Sequence, residues 1–383
     1  MDAYALLGPA LFDGERRIEG HALVIRDGAV DAVVPPEALP AGLEIRRLAG
    51  GLLAPGFIDI QVNGGGGVLL NEDPSVEGIR TICAAHARFG STALLPTVIT
   101  DRPAVTFAAI DAATQALAEG VPGCLGIHVE GPFLSVARKG AHDPALIRPM
   151  GEGDLAALQA TTVRPLLLTV AAETVPPAQI AALAASGIHV SIGHSDADFE
   201  TANAAFAAGA SCVTHLFNAM SQLGHRTPGL VGAALESESV WCGFIPDGHH
   251  VHPTALRTAL AAKRGRRRMI AITDAMPTVG SPDDVFVLSG RRATRKNGRL
   301  TLDDGTLAGS DLTMIGAVQY LVRVLGVPLP EALQMASLHP AEFLGLAPRY
   351  GRLVPGSRAD MVWLDDALDL RGVWIGGAPA GGF

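Results

Sequence analysis

Four residues in this chain stand where metal-assisted hydrolysis needs them. Glu130 ends the apolar run Ile127-His128-Val129-Glu130, His194 ends Val190-Ser191-Ile192-Gly193-His194, and His215 ends Cys212-Val213-Thr214-His215. One carboxylate and two imidazoles form a three-ligand set that leaves one coordination position open, as catalytic zinc sites do. An ion held this way lowers the pKa of bound water to roughly 7 and polarises a carbonyl. A fourth run ends Ile272-Thr273-Asp274, which supplies a carboxylate free to act as a base. Any one of these residues alone is more often a packed, hydrogen-bonded polar group. All four at the ends of strand-like runs point to a metal-dependent hydrolase.

Such residues meet only if their strands converge. Strand-like runs fall at 57–62, 92–98, 124–130, 164–171, 188–194, 211–216, 240–246 and 268–274, with Ala-rich helical stretches such as 76–89 and 199–208 between them. Eight strands alternating with helices is the count for a closed parallel (β/α)8 TIM-like barrel, whose active site gathers at the carboxyl ends of the strands; an open doubly wound sheet, the alternative, would usually show fewer strands. Residues 285–302 read as an inserted hairpin after the eighth strand, and two helices follow at 313–325 and 330–344. Both chain ends look β-rich, with an Asp27-Gly28 turn signal near the start. The expected division is 1–54 plus 346–383 as a small β-sandwich domain and 55–345 as the barrel. In the first strand, alternation would put Asp59, Gln61 and Asn63 on one face.

Composition excludes several function classes. The 383 residues carry 29 basic and 38 acidic side chains, a net charge of −9, which disfavours non-specific nucleic-acid binding. The basic run Lys263–Arg268 then reads as a solvated helix-end loop. Cys83, Cys124, Cys212 and Cys242 are widely spaced and form no CxxC pair, so a zinc ribbon or redox motif is not expected. Gly64–Gly67 lacks the Gly-Lys-Ser/Thr of a phosphate loop and reads as a turn. No apolar run is long enough to span a membrane, and no secretory leader pattern opens the chain. A cytoplasmic protein with no membrane or nucleic-acid partner is the expectation.

The ordered motifs say more. PGFIDIQVNGGGG (55–67), GIHVEGPF (126–133), KGAH (139–142), SIGHS (191–195), THLFNAM (214–220), RTPG (226–229), PDGHHVHP (246–253), TDA (273–275) and LAGSDLTM (307–314) span nearly the whole chain. Together they resemble the N-acetylglucosamine-6-phosphate deacetylase family of the amidohydrolase superfamily. Many amidohydrolases carry His-x-His after strand one and hold two metals, whereas this chain has Gln61 and Asn63 there. The departure implies one divalent ion per subunit, held by Glu130, His194 and His215. Zinc is the first expectation, with iron, manganese or cobalt as alternatives. Gln61 and Asn63 would line the pocket or contact the ligands, and His128 would sit beside Glu130.

The resemblance also implies roles. Asp274 matches the catalytic aspartate, accepting a proton from water and returning it to the leaving amine. His142, next to Ala141, matches a substrate-binding histidine. Arg226 suits the phosphate because guanidinium binds it bidentately. His250 and the backbone of Asn218 and Ala219 join it, while Leu307, Ala308 and Gly309 present backbone to the sugar. The family is commonly dimeric. The implied reaction converts N-acetyl-D-glucosamine 6-phosphate to D-glucosamine 6-phosphate and acetate, in amino-sugar catabolism or cell-wall sugar recycling. The rivals are the same chemistry on N-acetylgalactosamine 6-phosphate or a related N-acyl sugar phosphate, a deaminase or cyclic amidase, and a non-catalytic binding protein.

Overall fold

The structure is a computed structural model that describes residues 3–265 and 268–380. Arg266 and Arg267 of the basic run lie outside the described residues. Eight parallel strands form one sheet in sequence order: β1 (Phe57–Val62), β2 (Ser91–Ile99), β3 (Ile127–Glu130), β4 (Leu166–Val170), β5 (His189–Ile192), β6 (Cys212–Val213), β7 (Trp241–Phe244) and β8 (Met269–Ala271). Nearly every position in them is buried, as a parallel sheet covered on both faces requires. The ring closes just beyond β8, where Asp274 N donates to Gln61 O and Asn63 N to Ala275 O.

Helices cover the outside. Val76–Ala87 follows β1 and Phe199–Ala207 follows β5. Ser75 and Asp198 cap them by accepting the N–H of Gly78 and Thr201. Outward-facing Ile127, Val129, Leu166, Leu168, Val190 and Ile192 pack against these helices. Ile58, Ile60, Leu95, Leu167, Cys212, Trp241 and Ile270 fill the interior, with Phe343 and Leu344 packed against them. The 330–344 stretch is two helices, Leu329–Ala336 and Leu338–Phe343, because Ser337 leaves helical geometry at φ −138° and ψ −68°.

Beta structure from both chain ends shares a sheet. Leu52–Pro55 lies between Ala10–Phe12 and Met361–Leu364, and a four-stranded sheet built from residues 3–47 packs on it. Tyr4, Leu6, Leu23, Ile25, Leu53, Met361 and Trp374 form their common core. The inserted segment is larger than a hairpin. It comprises four antiparallel strands, β9 (Val285–Leu288), β10 (Arg291–Lys296), β11 (Arg299–Leu302) and β12 (Leu307–Ser310). A bridge from Ser310 to Ala275 ties this arm to the mouth of the barrel.

Three cations of the basic run have local partners. Lys263 is buried and donates to Ser237 O, Arg264 pairs with Glu236 and Glu238, and Arg268 lies over the Trp241 ring.

A glycine follows strand β5 at position 193 for a steric reason. A Cβ there would stand 2.8 Å from Thr214 Cβ and 2.9 Å from Thr169 Cγ2. Gly193→Ala should therefore cost about 1–3 kcal/mol of stability by overpacking. A lowered urea midpoint at unchanged slope checks this, and an unshifted midpoint would show that the neighbours yield freely.

Candidate metal centre and substrate cleft

His194, His215 and Asp274 each follow a strand with left-handed backbone, at φ 47°, 33° and 54°. Such conformations cost about 1–3 kcal/mol apiece for non-glycine residues, so surrounding structure must hold them. The first two turns aim their imidazoles at the carboxylate of Glu130, the last residue of β3. His215 Nε2 lies 3.0 Å from Glu130 Oε1, His194 Nε2 lies 3.2 Å from the same oxygen, and the two nitrogens are 3.1 Å apart. All three residues are buried.

The His194 tautomer follows from its other nitrogen. Nδ1 stands 2.8 Å from Arg138 O, and a carbonyl only accepts, so Nδ1 carries the hydrogen and Nε2 presents a lone pair. Lone pairs and a carboxylate converging on one buried point suit a cation. Ligands about 2.1 Å from a tetrahedral ion lie roughly 3.4 Å from one another, a few tenths of an ångström wider than the spacings here. The donor set fits one divalent ion. Burial pushes the Glu130 carboxyl up, but the two imidazoles outweigh it and hold it well below the usual range. For His215, burial is in turn outweighed by Glu130, which raises its pKa.

Asp274 lies outside this triangle. Burial raises its pKa, and the Glu130 charge adds to the effect. Its Oδ1 accepts from Asn63 Nδ2 at 2.6 Å and from Gln61 Nε2 at 3.2 Å. Gln61 Nε2 is also 3.2 Å from Glu130 Oε1, so one amide bridges the two carboxylates. Asp59 does not share this face. Leu94 pairs with Asp59 but Pro96 pairs with Val62, so β1 carries an extra residue that breaks the alternation. The Asp59 carboxylate turns instead to Thr273 Oγ1 and the Gln61 N–H, and burial pushes its pKa up to about 7.

A cleft of about 220 Å³ opens over these groups. Asn63, Glu130, Ala141, His142, His194, His215, Asn218, Ala219, His250, Asp274, Leu307 and Gly309 line it. His142 Nδ1 is 2.7 Å from Thr100 Oγ1, and burial followed by the nearby His194 lowers its pKa to about 3, so the ring is neutral. Asp247 orients His250 through a 2.6 Å contact at Nδ1, leaving the other ring nitrogen for a ligand.

Arg226 and Ala308 sit elsewhere, while Gln61 and His128 lie beneath the cleft lining as supporting residues. Arg226 is exposed on the 221–228 loop, outside the cleft lining. Ala308 is buried within β12. Gln61 reaches the carboxylates from below the lining. His128 bonds Thr169 Oγ1 at 2.8 Å inside the barrel, below Glu130. The Asn218 backbone N–H is already donated to His215 O, which takes it from an anion-binding role. Reading the sequence missed Thr100, Ile99, Met276, Leu288 and Thr306, which support or line the cleft. The one available signal was Thr100, a polar residue closing the apolar run of β2.

Residues 52–380 match the Amidohydrolase family, and residues 3–53 match the NagA composite domain. An N-acetylgalactosamine-6-phosphate deacetylase of Shewanella sp. (strain ANA-3) is 46% identical over 86% of this chain and 84% of that protein. An N-acetylglucosamine-6-phosphate deacetylase of Haemophilus influenzae is 32% identical over 98% of each. The chain belongs to the N-acetylglucosamine-6-phosphate deacetylase family of amidohydrolases. The fold of the family extends across the whole molecule. A crystal structure of N-acetylglucosamine-6-phosphate deacetylase from Pasteurella multocida matches with TM-score 0.94 and 34% identity, covering 98% of this chain and 99% of that one. Relatives in the family carry names for both sugar epimers, so family membership alone leaves the C4 configuration of the sugar open. Among the described residues, no helix is long and apolar enough to cross a membrane.

Proposed function

We propose that this enzyme hydrolyses the acetamide of N-acetyl-D-glucosamine 6-phosphate to D-glucosamine 6-phosphate and acetate. The observation that carries the reading is a buried Glu130–His194–His215 triangle with the non-ligand carboxylate of Asp274 fixed beside it. Glu130, His194 and His215 would hold a divalent ion, which would supply polarisation of the amide carbonyl and acidification of a water. Asp274 takes the water proton as the C–O bond forms and returns it to nitrogen as the C–N bond breaks. With Oδ1 held by two amides, Oδ2 is the oxygen that carries the proton. Neutral His142 orients the carbonyl or ring, and His250, set by Asp247, faces the phosphate. Arg226 stands outside the cleft lining of this chain, so its part in holding the phosphate rests on the resemblance alone. Zinc, a homodimer and a cytoplasmic location complete the reading.

The 46% identity to an N-acetylgalactosamine-6-phosphate deacetylase favours a second reading, the C4 epimer as the preferred substrate. Acetate release from both sugar phosphates decides between them through the ratio of kcat/KM. Chelation should abolish release from either, and Zn²⁺ should restore it. Release that survives exhaustive chelation would remove the metal from the reaction. No release from either epimer after reconstitution would sink the deacetylase reading.

A further inference from the structure

Asn63 has one amide atom accounted for and one left over. Its Nδ2 faces Asp274 Oδ1 at 2.6 Å, and a carboxylate oxygen only accepts, so the atom facing it is the nitrogen. The carbonyl Oδ1 therefore points away from Asp274. It is buried and has no hydrogen-bond partner among the described residues. Asn63 is fully buried, yet it lines the cleft beside Asp274, Glu130 and His215. An acceptor stripped of water and left unpaired is costly, so such groups in native proteins usually await a donor.

The position selects the donor. The cleft neighbours of Asn63 are acceptors or lone-pair donors: the carboxylates of Glu130 and Asp274 and the ring nitrogens aimed at an ion. A ligand satisfying Oδ1 must bring an N–H or O–H next to the group that handles the proton. On the reading given above, two donors arrive there, the attacking water and the scissile amide N–H, and the amide is the one that an ester analogue removes. We propose that Asn63 Oδ1 accepts the N–H of the substrate's acetamide. Asn63 then does two things. Its Nδ2 holds Asp274 by Oδ1, and its Oδ1 fixes the nitrogen so that the developing lone pair faces the proton on Asp274 Oδ2. When the C–N bond breaks, Asp274 transfers its proton to that lone pair, and the amine leaves still held by Asn63.

The inference rests on the deacetylase reading, and the test separates the two. The probes are the N-acetyl sugar phosphate of the preferred epimer and its 2-O-acetyl ester analogue, which lacks the N–H. Asn63→Ala removes both contacts. Losing the hold on Asp274 slows both substrates, but losing the N–H contact slows only the amide, so the amide-to-ester ratio of kcat/KM should fall about tenfold or more. Asn63→Asp keeps an acceptor and loses the donor to Asp274, so both rates should fall while the ratio stays within about threefold of wild type. Metal content equal to wild type shows that each variant is folded. Equal losses on amide and ester in Asn63→Ala would overturn the N–H contact and leave Asn63 as a positioning residue. A wild-type enzyme inert on both probes would instead overturn the deacetylase reading itself.

Discussion

Asp274→Asn should lower kcat for acetate release by about 10³-fold while the protein keeps its ion, as loss of a general acid-base does. The substitution is nearly isosteric. An asparagine carbonyl can still accept from Asn63 Nδ2 and Gln61 Nε2, so the loop after β8 has no reason to move. What disappears is, among the described residues lining the cleft, the carboxylate that stands beside Glu130, His194 and His215 without belonging to that set. An amide cannot take up the water proton, so neither half of the proton transfer has a carrier. Metal analysis and steady-state kinetics on the same sample check it. Near-wild-type turnover would remove Asp274 from proton transfer. Loss of the ion along with activity would make it a ligand instead.

The ends of the strands were readable because two constraints coincide there. Strands buried on both faces must be continuous apolar runs, so a His, Glu or Asp that closes such a run stands out. Glu130, His194, His215 and Asp274 are those residues. What the pattern could not carry is geometry that depends on a neighbouring strand. The extra residue in β1 turns Asp59 to Thr273 and Gln61 to the carboxylates, and it shows only in the pairing with Leu94 and Pro96. Strand β10 reads Arg-Arg-Ala-Thr-Arg-Lys, has little apolar alternation, and was missed although it pairs fully with β9 and β11. Leu288 lines the cleft only because the arm folds back over the barrel mouth. Arg226 shows the converse. Its chemistry suits phosphate, but nothing in residue type reports that its loop turns outward. The substrate class came from the order of motifs and the relatives they match, which no single spacing could supply.

His215→Ala should empty the centre and lower kcat by about 10³-fold or more, since a Lewis acid of this kind supplies several kcal/mol of transition-state stabilisation. His215 shares Glu130 Oε1 with His194, so its loss leaves one imidazole and one carboxylate. Two ligands hold a divalent ion far more weakly than three, and the buried Glu130 carboxylate keeps His194 and Gln61 but loses its nearer imidazole. A readout independent of turnover follows from linkage. An ion that binds only the folded state raises Tm as its concentration rises. Titrating Zn²⁺ into the metal-free wild type should therefore raise Tm progressively, and the His215→Ala protein should show almost no shift. His142→Ala is the control, because His142 lies beside the His194 ring yet contributes no atom to the triangle. It should keep the zinc-dependent rise in Tm while losing activity. If His215→Ala retained that rise, the ion would be held by a different set of residues, and the single-ion assignment to Glu130, His194 and His215 would fall.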